Sequence, residues 1–219
     1  YFILIREWLK ESQNEIPEYL DEIIYYLGHA YNFTQQSTNQ SLLFNGNHEA
    51  NNSEFDKYLK FYGYKFKNEN NELGGYVILK NKNVLLAVDL GPSPEKKFSI
   101  DYQSGALSFE IIFKGKKLIC NSGYFQNFKH QLNSISKSTA AHSDLILDNR
   151  SSSKMKKNSD GILIIEKGLK ILKKSVIAEE NYWSIYGSHD GYLKEYGIIH
   201  ERKIEFFPEA NKFIGEDKL

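Results

Sequence analysis

The period of the hydrophobic positions changes about a third of the way along the chain. In Tyr1–Lys10 the apolar residues Phe2, Ile5, Trp8 and Leu9 share one helix face. After Pro17, a residue suited to a first helical turn, Tyr19, Leu20, Ile23, Ile24 and Leu27 repeat that spacing, and Gly28 is expected to end the second helix. Thr34–Gln40 is polar and reads as a loop. Leu42-Leu43-Phe44 is a short apolar run before the turn signal Asn45-Gly46-Asn47. Ser53 is placed to cap a third helix over Phe55–Tyr62, with Glu54 and Asp56 complementing its dipole. From Gly74 onward short β-rich runs alternate with turns. Strands are expected at Tyr76–Leu79, Val84–Asp89, Ala106–Phe113, Lys117–Asn121, Asp144–Leu147, Gly161–Glu166, Leu169–Ala178, Tyr182–Gly187, Gly191–Tyr196 and Ile198–Phe207. This order predicts an α+β chain, a short helical segment followed by an antiparallel β-sandwich. The change of pattern lies near residues 64–72, which divides the chain into 1–66 and 67–219.

Charge and composition narrow the function classes. The 219 residues carry 28 Lys and Arg against 28 Asp and Glu, so there is no basic excess for a dedicated nucleic-acid or anionic-membrane binder. No apolar run reaches the roughly 18 residues of a membrane span. The one cysteine, Cys120, excludes an internal disulfide framework. Aromatic content is 14%, which fits either a biased genome or stacking on sugars. The chain opens at Tyr1 without a secretory signal, its few helices are too few to close a core, and its last segment, Asn211–Leu219, has no visible stop. An excerpt of a longer protein is expected, its sandwich cut at the C-terminus.

The usual catalytic signatures are missing. There is no phosphate-cradling glycine loop, no HExxH, no zinc-spaced cysteine pair and no Gly-x-Ser-x-Gly elbow. The unusual stretch is Lys137-Ser138-Thr139-Ala140-Ala141-His142-Ser143-Asp144. A histidine among small residues has space around it, and it reads as a half-buried strand-edge residue or as a ligand. His189-Asp190-Gly191 reads as a turn. Arg202, beside Glu201 and Lys203, either pairs across a sheet or binds a carboxylate in a cleft. Asn45, Asn47, His48 and Glu49 follow the helical part and are placed to line a cleft.

Five places in order carry a family resemblance. Lys137–Leu147 resembles the Arg-Ser-Thr-Ala-Ala-His-Asn-Thr element of heparinase II/III-like polysaccharide lyases. Ser41-Leu42-Leu43-Phe44-Asn45-Gly46 is similar to the end of that family's helical domain. Gly105-Ala106-Leu107-Ser108-Phe109-Glu110 is similar to the strand after its metal-ligand motif, and Leu118-Ile119-Cys120-Asn121-Ser122-Gly123 to its Val-Val-Asp/Asn-x-Gly turn. His189-Asp190-Gly191-Tyr192 and His200-Glu201-Arg202 resemble two of its later strands. The closest likeness is to a bacterial subgroup with Asn and Cys in the turn.

The resemblance implies an N-terminal (α/α) toroid joined to the sandwich, of which residues 1–66 are the tail. It implies cleavage of uronic-acid polysaccharides by β-elimination. In that reaction a positive or amide group neutralises the uronate, and a Tyr or His base takes the C5 proton. Most of those groups belong to the toroid. By position the family's metal ligands fall on Gln103, Asn121 and His142, eighteen and twenty-one residues apart. One imidazole and two amides are a poor zinc site, so a hydrogen-bonded triad or a weakly held Zn²⁺ or Ca²⁺ is expected there. A catalytic histidine of some members falls on Asp101, next to Tyr102. Either can handle a proton, or Tyr102 is a strand-edge aromatic. Asn45, His48 and Arg202 are the substrate-binding candidates. The implied partner is an acidic polysaccharide or oligosaccharide, in the periplasm or secreted by analogy, with the cytoplasm left open. The alternative is a non-catalytic glycan-binding or scaffolding relative that has lost the metal and base residues.

Overall fold

The computed structural model describes residues 1–34, 41–49, 52–67 and 70–219. It divides into two compact units, one of residues 1–41 and 50–73, the other of residues 42–49 and 74–219.

The first unit is helical. It contains α1 (Phe2–Glu11), α2 (Glu18–Thr34), α3 (Ser53–Phe61) and the two-residue strand β1 (Glu72–Leu73). Helix α2 buries Leu20, Ile24, Gly28 and Phe33, the face its apolar spacing marks out, and α3 buries Leu59. The helix does not stop at Gly28. A Cβ there would lie 2.1 Å from the Phe66 ring, so this glycine serves close packing in mid-helix and not termination. Ser53 is the first residue of α3 and Asn52 precedes it at the cap, so the expected cap is shifted by one residue. The loop expected at Thr34–Gln40 lies, beyond Thr34, outside the described residues.

The second unit is an antiparallel β-sandwich. Strands β2 (Tyr76–Lys80), β3 (Val84–Asp89), β4 (Phe109–Phe113) and β5 (Lys116–Ile119) lie in that order in one sheet. The other sheet runs β11-β10-β9-β8, from β8 (Ile171–Ala178), β9 (Trp183–His189), β10 (His200–Phe207) and β11 (Lys212–Lys218). A separate hairpin joins β6 (Lys154–Lys157) to β7 (Leu163–Lys167), and α4 (Gln131–Ser136) and α5 (Leu193–Tyr196) are short.

Val77, Leu79, Leu86 and Val88 from one sheet meet Trp183, Ile185, Ile204 and Phe206 from the other. All six residues of β3 are buried, as its continuous apolar run requires. Strand β10 alternates strictly, and its inward row is His200, Arg202, Ile204 and Phe206. One end of the sandwich interior is therefore apolar and the other is polar.

Several expected strands differ. Gly191–Tyr196 is a turn leading into α5. Asp144–Leu147 forms only a single bridge, from Leu147 to Arg150, because the Asp144 side chain is drawn into the interior beside Arg202. The Ala106–Phe113 run begins pairing at Phe109, since Leu107 takes the left-handed conformation with φ +70°. Asn211–Leu219 forms a paired strand, β11.

Candidate functional site

The segment 42–49 inserts into the second unit. Leu42, Leu43 and Phe44 are buried, and the Leu43 N–H donates to Glu110 Oε1 at 3.0 Å. The expected turn follows, with Asn45 at φ +22° and Gly46 at φ +78°. Asn45 Oδ1 accepts the main-chain N–H of Gln103 at 2.9 Å, which orients the amide. Its Nδ2 then donates both to Asp89 Oδ2, at 2.9 Å, and to the Tyr76 hydroxyl oxygen, at 2.7 Å. Asp89 Oδ1 accepts the Gly91 N–H at 2.9 Å. A Cβ on Gly75 would stand 2.6 Å from the Gly91 Cα, so two glycines let the backbones approach here.

These groups border a depression of about 260 Å³, shared with Phe98, Asp101 and Tyr102. Burial pushes the Asp89 carboxyl up to about 7, against the hydrogen bonds from Gly91 and Asn45. Burial also pushes the Tyr76 phenol well above its ordinary range, with the Asp89 charge adding to it. The Tyr102 hydroxyl lies within hydrogen-bond distance of Ser93 (2.9 Å) and Ser153 (3.1 Å), and burial raises it to about 12. Asp101 is exposed at the rim. His48 stands apart, with Nδ1 3.3 Å from Gln126 Nε2 on the surface. Asp89 and Tyr76 were not singled out in the sequence. Both stand in ordinary strands, and the only hint was a charge ending an apolar run.

Gln103, Asn121 and His142 do come from neighbouring segments, but their atoms are committed differently from metal ligands. Gln103 is fully buried. Its Oε1 accepts the Gly46 N–H at 3.2 Å, and its Nε2 donates to the carbonyls of Gly123 (3.2 Å) and Ser136 (2.5 Å). Asn121 Oδ1 accepts the Ser143 N–H at 3.0 Å, which leaves its Nδ2, a donor, without a protein partner. Neither ring nitrogen of His142 has a hydrogen-bond partner of ordinary geometry, and burial pushes the imidazole down to about 4 against the pull of the nearby Ser136 main chain. Both amide oxygens already accept a main-chain N–H, and being neutral they are weak ligands for zinc. Among the described residues no three His, Cys, Asp or Glu are grouped to hold a metal ion. The family's metal does not fit this donor set.

Arg202 lies in the interior. Its Nε and Nη2 grip Asp217 bidentately at 2.7 and 3.0 Å, and Nη1 donates to the carbonyls of Leu107 (2.9 Å) and Ser143 (2.7 Å). Asp144 Oδ1 stands 3.4 Å from the same guanidinium. Burial pushes the Asp144 carboxyl up to about 6, with Arg202 and His200 working against it. Burial would raise Asp217 too, but the hydrogen bonds from His200 and Arg202 overcome it and hold that carboxyl well below the usual range. Lys137 is also buried. Its Nζ donates to the carbonyls of Ile100 and Leu163, and burial lowers its pKa to about 8.

Residues 69–219 match the family model described as heparinase II/III-like, C-terminal. The chain belongs to this family. Solved heparinase-family structures share the fold. A mutant of the heparan sulfate lyase HepC from Pedobacter heparinus aligns with a TM-score of 0.68 at 17% identity, covering 99% of this chain and 35% of that one. The unmutated HepC gives 0.67 at 16%, with the same coverage. A heparinase III, the BT4657 gene product, gives 0.67 at 15%, covering 92% of this chain and 33% of that one. The chain thus spans about a third of the length of these relatives. No curated protein matches it. Among the described residues no helix is long and apolar enough to cross a membrane.

Proposed function

We propose that this chain is the C-terminal part of a polysaccharide lyase acting on an acidic, uronic-acid-containing polysaccharide by β-elimination. The observation that carries this reading is the family match over residues 69–219. The heparan sulfate lyases among the solved relatives point the same way. Residues 1–66 would be the tail of an (α/α) toroid, and the toroid would supply the base and the group that neutralises the uronate. The contribution of this chain would come from the depression beside Asn45. Asp101 and Tyr102 border it, and Asp89, poised near neutrality, is suited to exchanging a proton. His48 and Arg202 would then support the architecture and not the reaction.

The test uses the full product of the encoding gene with a panel of uronate-containing glycans, following the ultraviolet absorbance of unsaturated ends. Absorbance from that product and none from the 219-residue chain is expected. A flat trace on every acidic glycan would overturn the reading.

One observation favours a second reading, a glycan-binding relative without turnover. The amide of Gln103 stands where lyase members are expected to carry a metal-binding histidine, and it is wholly engaged in hydrogen bonds. Binding of acidic glycans without release of unsaturated ends would decide for this alternative.

A further inference from the structure

We propose that the depression bordered by Tyr76, Asp89, Phe98 and Asp101 is a subsite for an uncharged pyranose ring, one without a carboxylate or sulfate on its bound edge. The proposal rests on the lyase reading for the ligand being a sugar, and it adds which unit of the polymer sits here.

The hydrogen bonds define what the wall offers. Gln103 fixes the Asn45 amide, and Asn45 spends both of its N–H groups on Asp89 and Tyr76. The Tyr76 oxygen is thereby an acceptor, and its own O–H has no acceptor among the described residues. That hydroxyl is left to donate to a ligand oxygen. Asp89 keeps lone pairs beyond the two that Asn45 and Gly91 use, so the wall also accepts from a ligand hydroxyl. One donor and carboxylate acceptors side by side match the O–H groups of a sugar, each of which both gives and takes a hydrogen bond. Phe98, 69% exposed, and Pro92 and Pro94 supply apolar surface for the ring's C–H faces.

Charge sets the class of sugar. Asp89 and Asp101 face the same space, and among the described residues no lysine or arginine lines it. Beside the wall, Lys97 Nζ stands 4.8 Å from the Phe98 ring centroid and is already paired with Glu95 at 3.3 Å. A uronate or sulfate brought here would meet these carboxylates, find the ammoniums of Lys97 and Lys137 already engaged with Glu95 and with main-chain carbonyls, and lose its hydration. A neutral ring pays no such cost.

Two probes that differ in one group test this on the 219-residue chain: methyl β-D-glucopyranoside and methyl β-D-glucuronide, titrated by heteronuclear NMR. The glucoside is expected to bind at least tenfold more tightly, with shifts confined to the amides of Gly75, Gly91 and Phe98. Tyr76→Phe keeps the ring and removes the donor, and should weaken the glucoside at least fivefold. Asp101→Asn should narrow the gap between the probes. Equal or tighter binding of the glucuronide, no binding of either, or an unchanged Tyr76→Phe variant would each overturn the proposal. Lack of β-elimination by the full gene product, with glucoside binding intact, would overturn the lyase reading and leave the subsite standing.

Discussion

The main-chain N–H of Gln103 donates to Asn45 Oδ1 at 2.9 Å, and the Gln103 side chain accepts the N–H of the next residue, Gly46. With its bonds to Gly123 and Ser136, this one amide ties three segments together, as a metal ion would. Removing it breaks three hydrogen bonds, two of them buried, at about 1 kcal/mol each, so Gln103→His should cost about 3 kcal/mol. Combined with Asn121→Asp, the new histidine joins His142 in a donor set that suits zinc. The double variant should gain melting temperature with Zn²⁺ while the natural chain should not. A zinc-dependent rise in the natural chain would refute the amide as a substitute for the metal.

His189 and His200 form a directed chain of hydrogen bonds. The Gly191 N–H donates to His189 Nδ1 at 3.0 Å, so the proton of His189 sits on Nε2 and is given to His200 Nδ1 at 3.2 Å. His200 then gives its Nε2 proton to Asp217 at 2.7 Å. Burial pushes His189 down to about 3 and keeps it neutral. Long-range ¹⁵N correlation spectra of the neutral rings should show both as Nε2–H tautomers. Either ring as the Nδ1–H form contradicts the chain.

Arg202→Lys should destabilise the sandwich by about 3 kcal/mol. Lysine cannot reproduce the bidentate grip on Asp217 together with the bonds to Leu107 and Ser143. Chemical denaturation measures it. A loss under about 1 kcal/mol would show that the guanidinium geometry is not what matters.

Asp89→Asn should change the pH dependence of stability. The folded carboxyl titrates near 7 and the unfolded one near 3.8, so the folded state holds an extra proton between those values. Stability from this group is therefore full at low pH and is lost as pH rises through 7. The amide has no such loss. Whatever its baseline, the variant should gain on the natural chain by about 1 kcal/mol per pH unit between pH 4 and 7. Parallel stability curves would place the Asp89 pKa at its ordinary value.

Gly28→Ala should destabilise the helical unit although alanine favours helices. The added methyl would meet the Phe66 ring at 2.1 Å, and overpacking of that kind costs about 1–3 kcal/mol. Phe66→Leu in the same chain should recover part of the loss. A neutral or stabilising Gly28→Ala would show that the ring moves aside freely.

The α+β division, most strands and the family were legible in the sequence because they rest on local periods and short motifs. The apolar spacing of α2 and the continuous run of β3 state their own burial. The Gly28 signal misled, since a glycine that ends a helix and one that admits a neighbour's ring look alike along the chain. The Asp144–Leu147 run misled too, because a buried carboxylate outweighs the β propensity around it.

The site was legible only in part. Gln103, Asn121 and His142 were marked by motif and spacing, and the sequence showed that two of them carry amides. It could not show where those amides donate and accept. Arg202 meets Asp217 because the register of β10 on β11 sets them opposite, fifteen residues apart. Asn45, Tyr76 and Asp89 meet through a loop inserted from far upstream. The sequence determined the elements and the chemical groups available. The tertiary structure decided which groups lose water and which partners they find, because burial and hydrogen-bond direction are set by strand register and loop insertion.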